Sequence, residues 1–229
     1  MRRLINKIGR IIKNEKFIID ESIPILYLFF LFLLRFWMFI RGKLAFINNG
    51  GLLFIGKNVT IKCKSKIKFG RAVSVIQDSY IDALSINGIV FGDNVSLGRS
   101  SSIECTGSLK SLGVGLQVGN NVGLGSHGFF GCAGGVKIGD DTIFGNFVSI
   151  HSENHNFNDL DTPIRLQGVN RKGITIGKNC WIGAKVTILD GVVIEEGCII
   201  AAGSLVTKGN YLKNCIYAGV PAKIIKKRY

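Results

Sequence analysis

Between residues 176 and 206 large aliphatic side chains recur every six positions, at Ile176, Ile182, Ile188, Ile194, Ile200 and Val206. A six-residue period fits neither a helix, at 3.6 residues per turn, nor a simple alternating strand, at 2. It does fit a coil of short strands joined by turns, the kind of internal repeat that decides a whole architecture. If three hexapeptides close one coil, aliphatic residues eighteen apart in sequence stack about 4.8 Å apart along the axis and fill a triangular interior. Cys180, Val186, Val192, Cys198 and Ser204 then become the small residues beside the corners.

The same period can be followed upstream to Leu53, through Ile55, Ile61, Ile67 and Val73, weaker units at Ser79 and Ser85, then Phe91, Leu97, Ile103 and Leu109. It slips before Val118, Leu124 and Phe130 and again before Ile138, Phe144 and Ile150, as short loops at a coil corner would make it do. Gly follows Ile55, Phe91 and Leu97, where it suits the turn conformations that side chains disfavour. From Ile150 to Ile176 the repeat stops, and a polar segment, HSENHNFNDLDTPIRLQGVNRKGIT, holds two of the three histidines. Excursions from a rigid scaffold are where chemistry usually sits. The coil is therefore expected over residues 46–208, with an extended loop at 151–175. A C-terminal extension follows at 209–229, in which Pro221 is placed to open a short helix.

The amino terminus is of another kind. Residues 1–20 interleave Arg2, Arg3, Lys7, Arg10, Lys13 and Lys16 with aliphatic positions, the pattern of a basic amphipathic helix. Residues 23–40 are almost wholly apolar, interrupted only by Pro24 and Arg35. The long basic region and the lack of a small-residue cleavage site exclude a secretory signal. Basic residues crowd both flanks, so a spanning helix has no preferred orientation. An anchor lying at a membrane surface keeps both flanks against anionic headgroups. Residues 1–45 are thus expected to form a helical, membrane-associating segment on the cytoplasmic face, with a spanning helix or burial in an oligomer interface as the alternatives.

The net charge of +14 calls for polyanionic surroundings. No groove-reading motif accompanies it and much of it flanks the apolar stretch, so nucleic acid is not the expected partner. Six cysteines, at 63, 105, 132, 180, 198 and 215, form no CxxC pair and are expected to be reduced core residues, with no metal site.

The [aliphatic]-Gly-x4 units, the excursion after SIHSENHNF, the segment CWIGAKVTIL and the ending AAGSLVTK…AGVPAKII together resemble the hexapeptide-repeat acyltransferases. Within them the chain is most similar to the maltose, galactoside, xenobiotic and polysaccharide O-acetyltransferases. The resemblance covers about residues 50–228 and implies an all-β fold, a left-handed parallel β-helix, which departs from the usual right-handed crossover. It also implies a homotrimer that binds acetyl-CoA between subunits and transfers acetyl to a sugar hydroxyl, here expected on a lipid-linked precursor of a surface polysaccharide.

Carried over by position, the resemblance makes His155 of SENHNF the catalytic histidine. Imidazole, with an ordinary pKa near 6.5, is suited to take a hydroxyl proton at neutral pH. His127 of GLGSHGFFG and His151 fall at acceptor-contacting positions, and Asp159 or Asp161 could orient an imidazole. Trp181 matches the family's tryptophan beside the active site. The backbone at Ala184 and Ala202 matches the pantetheine-binding positions, and Thr207, Lys208, Lys223 and Lys226 those near the nucleotide end. The sequence TKGNY departs from the family's usual continuation after Thr-Lys, which leaves the aim of Lys208 open. Two other functions share the architecture: a γ-type carbonic anhydrase, whose zinc needs three histidines, and a non-catalytic β-helical scaffold.

Overall fold

The computed structural model describes residues 18–47 and 51–228. The basic helix expected over residues 1–20 lies almost entirely outside them. From Leu53 onward, strands mostly of two or three residues wind into three sheets, one of nine strands and two of seven, that form the faces of a prism and are parallel throughout except for the last strand of the nine. Its interior is a set of vertical columns. On the first face Ile55, Val75, Leu97, Leu124, Phe144, Ile182, Ile200 and Tyr217 pair in register. The second face stacks Ile61, Ile81, Ile103, Phe130, Ile150, Ile188 and Val206. The third stacks Phe69, Phe91, Val118, Ile138, Ile176, Ile194 and Tyr211.

These columns keep the expected Phe91, Leu97 and Ile103 but correct the register at Ile67, Val73, Ser79, Ser85 and Leu109. Ile67 and Val73 point inward, but they stand two residues before the column members Phe69 and Val75. In a three-residue strand the first and third side chains share a face, so a six-residue period can lock onto either. Ser79 is not a column member: it fills the small slot before Ile81, and its buried Oγ donates to Gly98 O at 3.1 Å. Ser85 belongs to a short loop, where its Oγ donates to Ala83 O and accepts from Gly88 N, each at 3.1 Å. Leu109 is 88% exposed, at the tip of a hairpin that pairs Gly107–Ser108 with Ser111–Leu112.

Corners are turned by residues with positive φ two positions before a strand, among them Asn58, Asp78, Asn94, Asn121, His127, Asp141, Asn179 and Lys185. Asn and Asp tolerate this left-handed backbone better than most residues. They also form ladders up the corner: Asn94 Nδ2 donates to Asn121 Oδ1 at 3.1 Å, and Asn121 Nδ2 to Asp141 Oδ1 at 2.9 Å. Cys105, Cys132, Cys180, Cys198 and Cys215 are buried free thiols. Burial pushes the Cys180 thiol up to about 11, so it is protonated and inert.

The C-terminal helix is not formed. Cys215–Gly219 extends the first face, turns through Val220 and Pro221, and Ala222–Lys227 returns antiparallel to it. The strand Cys215–Gly219 would otherwise leave an unpaired edge, and the returning strand satisfies it; β-branched Ile224 and Ile225 favour that strand.

At the other end, one 21-residue helix, Ile25–Ala45, follows Pro24 and packs against the first coil. Gly42 permits the contact, since a Cβ there would meet Leu53 O. Arg35, the one charge in the apolar run, faces the protein: its Nη1 donates to Ser74 Oγ at 3.0 Å and its guanidinium lies 5.6 Å from the Phe54 ring centroid. Phe39 also approaches Phe54, and Phe46 meets Phe69 edge-on at 5.0 Å. Leu26, Phe30, Phe32, Leu34 and Trp37 are exposed. By length and composition the helix is apolar enough to cross a membrane, yet Arg35, midway along it, is docked on the coil while Leu26, Phe30 and Trp37 face away from the coil.

Candidate active site

The long excursion leaves the second face after Ser149–His151 and rejoins the coil at Ile174. Its two ends are fastened together by one buried side chain. Asp190, 3% exposed at the next corner, accepts from Lys172 N at 3.0 Å, from Gly173 N at 2.7 Å and from Asn154 Nδ2 at 3.4 Å. Ser152, also buried, donates to Gly131 O and accepts from Gly134 N, both at 2.8 Å. Between these fastenings Asn154–His155 pairs antiparallel with Val169–Asn170, so His155 stands on a short ribbon outside the coil, exposed to solvent.

The rest of the loop is ordered by its own polar groups. Gln167 Nε2 donates to the carbonyls of Asp159 and Thr162 at 2.6 Å, and its Oε1 accepts from Asp159 N at 3.1 Å. The Thr162 hydroxyl and the Asp161 and Thr162 N–H groups hold the Asp159 carboxyl below its usual range. Asp159 is thus engaged in shaping the turn, and the structure gives it no bond to an imidazole. Phe157, Leu160, Ile164 and Leu166 project into solvent, Leu160 at 97% exposure.

His151 lies on the coil itself, at the end of its strand. Its Nε2 is 2.7 Å from Ser149 Oγ and its ring tilts against Phe129 at 5.4 Å. Partial desolvation against these neighbours lowers its pKa from the ordinary histidine value, which favours the neutral imidazole. His127 sits at the corner that opens the second face, with φ of 56°, its ring stacked on that of Phe147 at 5.0 Å and 11°. Within one chain His127 and His155 are on opposite sides of the second face. Among the described residues no group of three or more His, Cys, Asp and Glu side chains is placed to hold a metal ion.

The residues carried over for the coenzyme divide in the same way. Trp181 is outward on the first face, 52% exposed, between Ile143 and Ile199. Ala184 and Ala202 are at the corner between the first and second faces, where Gly203 N donates to Ala184 O at 2.8 Å. Glycine is required beneath each of them: a Cβ on Gly145 would come within 2.5 Å of Ala184 N, and one on Gly183 within 2.6 Å of Ala202 N. Lys223 and Lys226 are exposed on the returning strand at the edge of the first face. Thr207 and Lys208, in contrast, close the far side of the second face, beside the base of the loop. The Tyr211 hydroxyl clasps Thr207, donating to its carbonyl at 3.0 Å and accepting from its N–H at 3.1 Å. Lys208 reaches past Gly191 toward Lys172, and that proximity lowers the Lys172 pKa. One chain therefore places these residues in two separate groups, Trp181, Ala184, Ala202 and His127 at one corner of the second face and His151, His155 and Lys208 at the other.

Several site residues were not anticipated from sequence: Asp190, Ser152, Arg171 and Tyr211. Asp190 carried one available signal, a carboxylate in an otherwise aliphatic run, ILDGVV, where burial obliges it to find N–H partners.

Residues 173–208 match the family model described as bacterial transferase hexapeptide, six repeats. A probable acetyltransferase of Mycobacterium tuberculosis is 30% identical over 202 residues, covering 86% of this chain and 58% of that protein. The Escherichia coli protein WbbJ, named as a lipopolysaccharide biosynthesis O-acetyl transferase, is 32% identical over 99 residues, covering 40% of this chain and 50% of its own length. The chain thus spans about half the length of these relatives. AntD, an N-acyltransferase from Bacillus cereus solved with a nucleotide sugar and coenzyme A, matches 82% of this chain and 89% of its own at a TM-score of 0.51 and 20% identity, a likeness of fold. The parallel coil, the hexapeptide repeat matched over residues 173–208 and the likeness of fold to AntD identify the architecture as a left-handed β-helix of hexapeptide repeats.

Proposed function

We propose that this chain is an O-acetyltransferase that moves an acetyl group from acetyl-CoA to a hydroxyl of a saccharide, with His155 as general base. The observation that carries this reading is the fastened loop: the longest excursion from the repeat is fixed at both ends by Asp190 and holds an exposed imidazole on a short ribbon. The names of the two relatives support acetyl as the group and a surface saccharide as the acceptor class.

The chemistry follows directly. An imidazole nitrogen of His155 takes the hydroxyl proton as the oxygen attacks the thioester carbonyl. The tetrahedral oxyanion then collapses, the C–S bond breaks, and the sulfur leaves with the proton returned by the imidazolium. Positioned N–H groups stabilise the oxyanion. His151, favoured in its neutral form and hydrogen-bonded to Ser149, faces the same end of the sheet and serves the acceptor.

The two groups of residues explain why assembly matters. A homotrimer would set the His155 side of one chain against the Trp181, Ala184 and Ala202 side of the next, completing a coenzyme groove with Lys223 and Lys226 near the phosphates. It would also cover Ile143, Phe147, Trp181 and the apolar loop residues, all exposed in the single chain. We further assign residues 1–45 to an in-plane attachment at the cytoplasmic membrane face, where the acceptor is lipid-linked. Support comes from the docked Arg35 and the outward apolar side of Ile25–Ala45.

The test is acetyl transfer itself, with acetyl-CoA and a panel of free and lipid-linked saccharides, following free thiol and acetylated sugar together. An acetyl ester on a sugar hydroxyl is expected. Thiol release without acetylated saccharide across the panel would refute the reading.

A further inference from the structure

A second, shorter excursion leaves the second face at the same corner as the His155 loop. It follows Ser102–Glu104, while the long loop follows Ser149–His151; the strand Phe129–Gly131 lies between them. This excursion is the hairpin of residues 107–112, and it is pinched at its base: a Cβ on Gly113 would meet Cys105 O and come within 2.9 Å of Ala133 Cα. Its tip, Ser108, Leu109, Lys110 and Ser111, is exposed.

Arg171, in the returning arm of the long loop, reaches across to this hairpin. Its Nη1 donates to Leu112 O and its Nη2 to Ser111 O, each at 3.0 Å, while its Nε donates to Glu153 Oε2 at 2.9 Å. The guanidinium thereby joins both arms of the His155 loop to the hairpin, and its side chain is only 15% exposed. Gly107 is adapted to the clamp: its φ is +67°, and a Cβ there would stand 2.4 Å from Arg171 Nη2. A planar fork with donors at three edges suits this task, which the single ammonium of lysine cannot perform.

We infer that the hairpin of residues 107–112 is a wall of the acceptor site, and that Arg171 is the positioning residue that fixes the His155 loop against it. The wall offers hydroxyls at Ser108 and Ser111, an ammonium at Lys110 and an apolar side chain at Leu109. That mixture suits the part of a saccharide away from the reacting hydroxyl. The inference rests on the proposed acetyl transfer to a saccharide.

Three variants of the full chain separate the roles: Arg171→Ala removes the clamp, Arg171→Lys keeps only the charge opposite Glu153, and Gly107→Val pushes the hairpin off. Two measurements are made on each. Without substrate, hydrogen exchange of the Gly113 and Asn156 amides, bonded to Thr106 O and Gly168 O, should accelerate together in Arg171→Ala and in Gly107→Val. With acetyl-CoA and a panel of methyl glycosides, kcat should fall by about 10²-fold, the scale of a misplaced catalytic group. The KM for acetyl-CoA should stay near the parent's. Arg171→Lys should resemble Arg171→Ala, and the Arg171→Ala, Gly107→Val double variant should be no worse than either single one, since both break one contact. Parent-like kcat in Arg171→Ala, or equal loss of acetyl-CoA binding, would overturn the positioning role. A parent protein that transfers acetyl to no glycoside, with exchange behaving as expected, would instead overturn the functional reading and with it the hairpin's assignment to an acceptor.

Discussion

Replacing Asp190 should loosen the His155 loop while leaving the coil intact. Asp190 is 3% exposed and its carboxylate accepts two backbone N–H groups, from Lys172 and Gly173, that have no other acceptor among the described residues. In Asp190→Ala each loses a charged acceptor at a partly buried site, at about 1–3 kcal/mol per group, so the loop base should be weakened by at most about 2–6 kcal/mol. At 1.36 kcal/mol per tenfold change, this corresponds to exchange of the Lys172 and Gly173 amides that is faster by about 30-fold to 10⁴-fold. Asp190→Asn keeps one acceptor oxygen for these amides and should give an intermediate acceleration. Hydrogen exchange read by mass spectrometry or NMR gives the values directly. Amides of the inner coil, such as Ile182 and Ile188, should not change, because the long loop opens separately from the stacked strands. Unchanged exchange at residues 172–173 in Asp190→Ala would refute the account of how the loop is held; acceleration throughout the coil would refute its local character.

Ile188 is fully buried between Ile150 and Val206, so Ile188→Ala should cost about 2–5 kcal/mol, seen as a lower midpoint in thermal or denaturant unfolding; an unchanged midpoint would contradict the column packing. Burial lowers the His151 pKa below its ordinary value, so its contribution to stability is complete above about pH 6.5 and is lost as the pH falls toward the lower folded value. His151→Gln should therefore flatten that part of the Tm against pH curve, and an unaltered curve would show that the imidazole is not desolvated. Phe30→Glu with Trp37→Glu, both on the outward side of the helix, should abolish sedimentation with vesicles containing anionic lipid while preserving the fold by circular dichroism; undiminished binding would remove this helix from the membrane.

The coil was legible because its signal is redundant. From Phe130 to Val206 each face repeats the same demand for a large apolar residue, and neither a helical nor an alternating period satisfies it. The register failed at Ile67 and Val73 because they are as well buried as true column members would be, and period alone cannot choose between two inward positions of one strand; it was right again at Phe91, Leu97 and Ile103. The hairpin was missed for another reason: Leu109 kept the six-residue step by coincidence, although it is exposed at the hairpin tip. The C-terminal strands were misread because Pro221 suits a helix start as well as a tight turn, and what decided between them was the exposed edge of Cys215–Gly219, a tertiary fact. Within the site, the placement of His155 was visible from where the repeat stops. Asp190 and Arg171 were not, since their importance lies in partners 17 to 60 residues away.

The central claim is that His155 takes the acceptor's proton and does not hold the coenzyme. Its most direct test compares the parent with His155→Ala, measuring acetyl transfer to a saccharide that the parent accepts and, by calorimetry, the affinity for coenzyme A. The account predicts a loss of about 10² to 10⁴ in turnover with coenzyme A affinity close to the parent's; parent-like turnover in His155→Ala would contradict it.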